Sequence, residues 1–420
     1  MPSTYLLPVK SAALVFPLLA LLLYLPAAVI TYRRHGIMSS WRTLSFYSFL
    51  FYALTAFCMT LVPLPGPSVD VCAAYPSMAE PQLTLGNTVA DIRKEAGGTT
   101  GFGALVLHNS AVRDALLNLL LLVPLGVYLR YHFRRGLAFT AATGLAASLF
   151  FEITQATGVF GLYECPYRLF DVDDLVINAS GAVVGWLLAG GITRRLPALE
   201  ALDDAALARQ GVPLGRRLTA LLVDLLVLPW VVLAVMLGCV VLLGLGREGW
   251  WLGPLGGALV QFVVFPLLFR ATPGKRLLLL ELTGPGGERP SAGRLLARAV
   301  LLIAPVLPLA LIALFAVMLA VDSPSTTAYR TIAILEWLPE AANRPARLVG
   351  ALRDYLAPAL VGTVLVVLGL SATGAFLFTL LRHPERLGMH ERSTGVRNRT
   401  LPHLRARAER TDRETAETTS

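Results

Sequence analysis

The chain has 420 residues, 55% hydrophobic and 15% charged, with a mean hydropathy of +0.64. Soluble domains carry about 25% charged residues, so this composition excludes a soluble globular protein and describes a polytopic membrane protein. The net charge of +9 rests on 33 Arg and 3 Lys against 27 acidic residues; in a membrane chain such an excess marks cytoplasmic loops, and no nucleic-acid partner is expected.

Nine apolar stretches reach the length that a membrane-crossing helix needs. They run over 11–31, 44–64, 115–132, 137–157, 175–193, 218–245, 251–269, 299–321 and 357–381. The fold expected from them is all-α: a polytopic integral membrane helical bundle of about nine transmembrane helices in two modules. The first stretch does not read as a cleaved signal peptide, because its basic cluster, Arg33, Arg34 and Arg42, follows the apolar core instead of preceding it. With the N-terminus outside, the loops 32–43, 130–136, 194–217 and 270–298 and the tail 382–420 become cytoplasmic and hold 26 of the 36 Lys and Arg. This asymmetry predicts a multi-pass plasma-membrane protein with its N-terminus outside and its C-terminus in the cytoplasm.

The polar stretch 194–214 reads as a cytoplasmic linker between a five-span module, 1–193, and a four-span module, 215–400. The segment 401–420 is rich in Arg, Glu and Thr, and its composition predicts a disordered cytoplasmic tail. The outer loop 322–356 carries spaced apolar residues that predict amphipathic helices lying on the membrane surface. The outer loop 65–112 has no legible role.

The chemistry-bearing residues of the first module gather at one membrane border. Arg113 and Asp114 open the third span, with Asn118 one turn deeper. Glu152 and Gln155 share a face in the last turns of the fourth span. Arg168, Asp171 and Asp173 lie in the following loop, and Asp174 and Asn178 enter the fifth span. On a helix advancing about 100° per residue, Asp171, Asp174, Asn178, Gly181 and Gly185 fall within roughly 80° of one another. That stripe predicts a tightly packed face with a polar site at its outer end. Ionisable groups at such depth are expensive unless paired or hydrated. Two readings follow: an ion-pair clamp in which Arg113 and Arg168 hold three helices together, or a site for a headgroup or a cation. Arg would grip phosphate. The Asp-x-Asp-Asp spacing is compatible with a divalent metal, but no metal site and no cofactor is expected from spacing alone. No Ser or His nucleophile and base stand near, and His108 has no evident partner. The chain therefore leans away from being an enzyme, and no catalytic residue is assigned.

This order and spacing, from Asp114-x-x-x-Asn118 through Val123-Pro-Leu-Gly126, Glu152-x-x-Gln155 and Arg168 with Asp171 to Asp173-Asp174-x-x-x-Asn178-x-x-Gly181, resembles the VanZ-like family over about residues 15–193. The family is named for a protein associated with resistance to the glycopeptide teicoplanin. The resemblance implies a bacterial cell-envelope role and makes the polar positions above the family's motif positions. The implied partners are membrane lipids or lipid-linked envelope precursors.

In the second module, Arg217 opens the sixth span and Asp224 follows two helical turns later on the same face. The motif Thr272-Pro-Gly-Lys275 lacks the full phosphate-loop pattern and does not predict nucleotide binding. With Glu391 after the last span, this set resembles the RDD family of membrane domains over about residues 212–400. Arg217, Asp224 and Glu391 take the three motif positions, and Glu391 stands where the family usually has Asp. Arg217 and Asp224 read either as an intramembrane ion pair or as part of an ion or proton path. Cys58 and Cys239 fall inside spans, whereas Cys72 and Cys165 fall in outer loops, where a disulfide between them can persist. The functional expectation is an envelope factor of the VanZ-like type, linked to teicoplanin resistance through an outer polar site. The alternatives are an ion- or proton-coupled transporter and an outer-face metal-dependent lipid enzyme.

Overall fold

The computed structural model describes residues 2–99, 101–209, 212–303, 357–383 and 385–401. The eighth apolar stretch, 299–321, lies mostly outside these residues, as do the loop 322–356 and the tail 402–420. Among the described residues, seven helices are long and apolar enough to cross a membrane. The chain divides into two compact units, Met1–Arg209 and Gln210–Ser420.

The first unit contains α1 (Pro2–His35), α2 (Ser40–Leu61), α3 (Asn87–Glu95), α4 (Ser110–Tyr131), α5 (Leu137–Ala156), α6 (Val172–Ile192) and α7 (Leu199–Arg209). Its centre is the pair α4 and α6, which run parallel: Gly181 meets Leu119, Gly185 meets Val123 and Gly190 meets Arg130. The Gly181-Ala-Val-Val-Gly185 spacing makes this approach possible. A Cβ on Gly181 would fall on the Leu119 carbonyl oxygen, and one on Gly185 on that of Val123. Small residues four apart are the usual route to close helix contact in lipid, where packing replaces the hydrophobic effect as the driving force. The antiparallel α5 covers the other side, with Gly144 against Ala179 and Ala182. Leu122, Leu125, Leu129, Phe151 and Ala182 form the apolar core between these helices.

The loop between α2 and α4 is folded. The Cys72–Cys165 disulfide, with Cα atoms 5.1 Å apart, ties it to the loop before α6. Gln82 pairs with the backbone on either side of Asp171, accepting from Val172 N–H at 3.0 Å and donating to the Phe170 carbonyl at 2.8 Å. Helix α3 is fastened at its C-terminal end to the start of α4. The Asn109 amide reaches the Ile92 carbonyl, while the Glu95 carboxylate takes the Ser110 hydroxyl and the Ala111 N–H at the start of α4.

The stretch predicted as a linker is largely ordered. After a short 3-10 turn at Thr193–Arg195 comes α7, with Leu199 and Asp203 buried. Arg42 Nε donates to Asp203 at 2.7 Å, and Arg134 pairs with Glu200. Ion pairs with α2 and with the turn after α4 therefore hold the segment that its polarity marked as a linker.

The second unit contains α8 (Leu214–Leu237), α9 (Arg247–Leu259), α10 (Pro273–Leu277), β1 (Leu280–Thr283), α11 (Ala292–Ile303), α12 (Ala357–Arg382), α13 (Met389–Thr394) and β2 (Arg397–Thr400). Helices α8 and α9 pack antiparallel through Gly253, Gly256 and Gly257 against Met236, Val235 and Val232. Helix α9 continues through a π turn at Val260–Val264 into Phe265–Phe269. Helix α12 coincides with the ninth apolar stretch. Among its described residues the unit also holds a small antiparallel ladder, β1 with β2, in which Leu280 pairs Thr400 and Thr283 pairs Arg397.

Candidate functional site

At the disulfide end of the first unit, the cluster begins with Glu152 on the last turn of α5. Its side chain is 3% exposed and accepts the Asp171 N–H at 3.0 Å. Asp171 is the N-cap of α6, accepting the Asp173 N–H at 2.8 Å. Burial pushes the Asp171 carboxyl above the ordinary carboxylate range, and the charge of Asp173 adds to the rise. Asp173 turns the other way, toward the folded loop. Its two oxygens accept the N–H groups of Gly86 and Thr88, each at 2.8 Å. It thus caps α3 from another helix, since Gly86, the residue at that helix's own cap position, has no side-chain oxygen.

Deeper in, Asn118 of α4 hydrogen-bonds the Asp174 carboxylate. Asn178 donates to Ser148 Oγ at 3.1 Å, and the Ser148 hydroxyl donates to the Asp174 carbonyl. The Asn178 side-chain oxygen is buried with no hydrogen-bond partner. Gln155 donates to the Thr60 carbonyl at 2.9 Å, tying α5 to the end of α2. Glu152, Asp171, Asp173, Asp174, Asn118, Asn178 and Gln155 thus lie at one end of the α4, α5 and α6 group.

The arginines do not serve the cluster as a clamp. Arg113 and Asp114 are exposed and face each other at 3.4 Å on the first turn of α4. Arg168 is half-buried and donates to the Val62 carbonyl at 3.4 Å. Among the described residues no ion pair within 4.0 Å joins either arginine to Glu152, Asp171, Asp173 or Asp174. Backbone N–H groups and amides satisfy these carboxylates instead. No three His, Cys, Asp or Glu side chains gather as metal ligands among the described residues.

In the second unit Arg217 and Asp224, read from the sequence either as an ion pair or as part of an ion or proton path, do not pair with each other. Two helical turns separate them by about 10 Å, and each has a nearer partner. Arg217 Nη1 donates to Glu391 at 2.5 Å, and Nη2 donates to the carbonyls of Glu385 and Arg386. Glu391 also accepts from Asn398 at 2.5 Å and from the Gly388 N–H. The extra methylene of Glu over Asp therefore serves a three-way junction of α8, α13 and β2. Asp224 is fully buried and accepts the Thr272 hydroxyl at 2.6 Å and the Gly274 N–H at 2.7 Å, with Lys275 Nζ at 3.7 Å. Gln261 donates to its backbone carbonyl.

Sequence reasoning missed three residues here. Lys275, set aside with the incomplete phosphate loop, is the cation beside Asp224. Arg216 is more buried than its neighbour Arg217 and grips the Leu278 carbonyl through Nε and Nη2. Arg298 is 5% exposed and carried no motif signal; its place on the buried face of the amphipathic α11 was the available clue.

Residues 49–193 match the VanZ/LLP1 family model, and residues 212–390 match that of the RDD family. No curated protein and no solved structure matches the chain. The two matched stretches fall in the two structural units; the first contains the carboxylate cluster, and the second contains Arg217, Asp224 and Lys275 and ends one residue before Glu391. The protein is a multi-pass membrane protein that joins an N-terminal VanZ-like module to a C-terminal RDD-family module.

Proposed function

We propose that this protein is a cell-envelope factor whose VanZ-like module engages the headgroup of a membrane lipid or lipid-linked envelope precursor at the outer face, and that it contributes in this way to teicoplanin resistance. The N-terminus is then outside and the C-terminus cytoplasmic. The basic bias of the loops supports this orientation, as does the Cys72–Cys165 disulfide, which persists in an oxidising compartment.

One observation carries the reading: Glu152, Asp171 and Asp174 lie together at one end of the α4, α5 and α6 group, and among the described residues no cation stands within 4.0 Å of them. A cluster built only to hold helices would neutralise its carboxylates, because unpaired charge at this depth is costly. An amine-bearing headgroup supplies the missing positive charge. Arg168, with one long hydrogen bond and further donors left, suits the adjoining phosphate. Arg113, exposed on α4, stands at the rim and contributes to approach more than to grip.

The test is teicoplanin susceptibility of cells expressing the wild type and Arg168→Gln, with membrane levels matched by blotting. The reading expects protection by the wild type and loss of most of it in the variant. Equal protection at equal abundance would remove Arg168 from the site. A wild type without effect would contradict the link to teicoplanin.

A further inference from the structure

We propose that the RDD-family module binds a monoanionic phosphate group in a partly open cavity beside Arg298, supplied either as the phosphodiester of an anionic lipid or as free phosphate. The cavity has a volume of about 70 Å³, several times the roughly 10–15 Å³ that a single water needs. Arg217, Lys275, Arg298, His390, Glu391 and Asn398 form its polar side.

Among the described residues the charges around the cavity do not balance without a ligand. Glu391 holds Arg217 at 2.5 Å, and Asp224 faces Lys275 at 3.7 Å. Among the described residues no carboxylate stands within 4.0 Å of Arg298, and the charges nearest it, Glu391 and Asp224, already have cations. The Arg298 side chain makes no hydrogen bond and no ion pair among the described residues, although it is 5% exposed and lines the cavity. Its Nε is buried without a partner, as are Arg217 Nε and His390 Nδ1. A buried guanidinium left unpaired carries a large desolvation penalty. One negative charge placed against it removes that penalty and fills the orphan donors.

The neighbours fit an oxyanion. Burial, with the charge of Arg298 adding to it, lowers the Lys275 ammonium to about 8, so it stays charged at neutral pH. Burial and the three cations keep His390 neutral, pushed to about 2, and it lies stacked on Phe376 at 5.7 Å. A planar guanidinium fork matches two phosphate oxygens at once, and Lys275 adds a point charge beside it. One excess positive charge matches a phosphodiester or dihydrogen phosphate. The other side of the cavity is apolar, with Leu218, Leu221, Leu302 and Leu380. Leu218 is exposed on α8, where an acyl chain would run if the phosphate belongs to a lipid.

The test uses the full chain in neutral detergent and in nanodiscs. In the first arm inorganic phosphate is titrated while thermal unfolding is followed. In the second, native mass spectrometry compares retention of phosphatidylglycerol with that of phosphatidylcholine. The wild type is expected to respond in at least one arm, and Arg298→Gln to weaken that response by about tenfold or more, since a charge-assisted bidentate contact is lost. The ligand-free variant should unfold no earlier than the wild type, because an uncompensated charge has gone. A response confined to the phosphate arm identifies free phosphate, and one confined to phosphatidylglycerol identifies a lipid. No wild-type response in either arm would overturn the proposal, and so would an undiminished response in Arg298→Gln. Leu302→Phe, which fills the cavity and leaves every cation in place, decides the matter if Arg298→Gln does not fold. It must abolish the response, and a retained response places the anion elsewhere.

Discussion

At Glu391 one carboxylate serves donors from three elements, Arg217 of α8, the Gly388 N–H before α13 and Asn398 of β2. Its side chain is 2% exposed and that of Arg217 is 9%. Removing one member of such a pair leaves the other charged and buried, which costs about 3–5 kcal/mol. Arg217→Gln should therefore destabilise the protein strongly, and Arg217→Gln with Glu391→Gln should be less damaging than the two effects combined. Unfolding of the four members of this cycle in detergent checks it, and strict additivity would show that the pair is not coupled. The motif positions made Arg217 and Glu391 visible in the sequence. Their mutual pairing was not, because 174 residues separate them, and the nearer Asp224 lay on the same helical face. Lys275 was hidden for a different reason: its motif resembled part of a phosphate loop, and nothing in the local spacing pointed to a carboxylate nearly three turns into another helix.

At the scale of elements, the α4–α6 contact depends on the absence of side chains at Gly181 and Gly185. Gly181→Ala places a methyl group on the Leu119 carbonyl and must push the helices apart, an overpacking cost of about 1–3 kcal/mol. Gly191→Ala, where nothing stands within 4 Å, should be tolerated. Size-exclusion profiles and membrane abundance distinguish the two, and equal behaviour would contradict the close approach. Asp173 belongs to this scale too, since it joins α6 to the folded loop. Asp173→Ala should cost about 1 kcal/mol by removing the cap of α3. Faster hydrogen exchange at Gly86, Thr88 and the rest of α3 is the expected sign, and unchanged exchange would show that the cap is dispensable. The helical stripe from Asp171 to Gly185 could be read from sequence because a period of 3.6 residues places chemistry without knowledge of the partner helix. The loop 65–112 could not. Its order comes from a disulfide, a lone backbone bridge and two in-trans caps, all between residues distant in sequence and none with a periodic signature.

For the whole molecule, hydropathy marked eight stretches that the structure describes as helices, seven of them long and apolar enough to cross a membrane, because burial in lipid demands long apolar segments whatever the packing. The stretch 194–214 shows the limit of the same logic. Its polarity marked it as a connector, but α7 is held to α2 by the buried Arg42–Asp203 pair, which no composition window registers. Cys72 and Cys165 set a further test at this scale. Denatured without reductant, the protein should react with a bulky maleimide at Cys58 and Cys239 alone. With reductant all four cysteines should react, and four reacting before reduction would contradict the disulfide. The account's central claim is that the carboxylate cluster of the VanZ-like module is a binding site and not scaffolding, and the most direct measurement separates function from stability. Cells expressing the wild type, Glu152→Gln and Asp174→Asn are compared for teicoplanin susceptibility, and the purified proteins for thermal unfolding. The account predicts that both variants lose protection at equal membrane abundance while unfolding at or above the wild-type temperature. Full protection by both variants, or loss of protection in step with loss of stability, would contradict it.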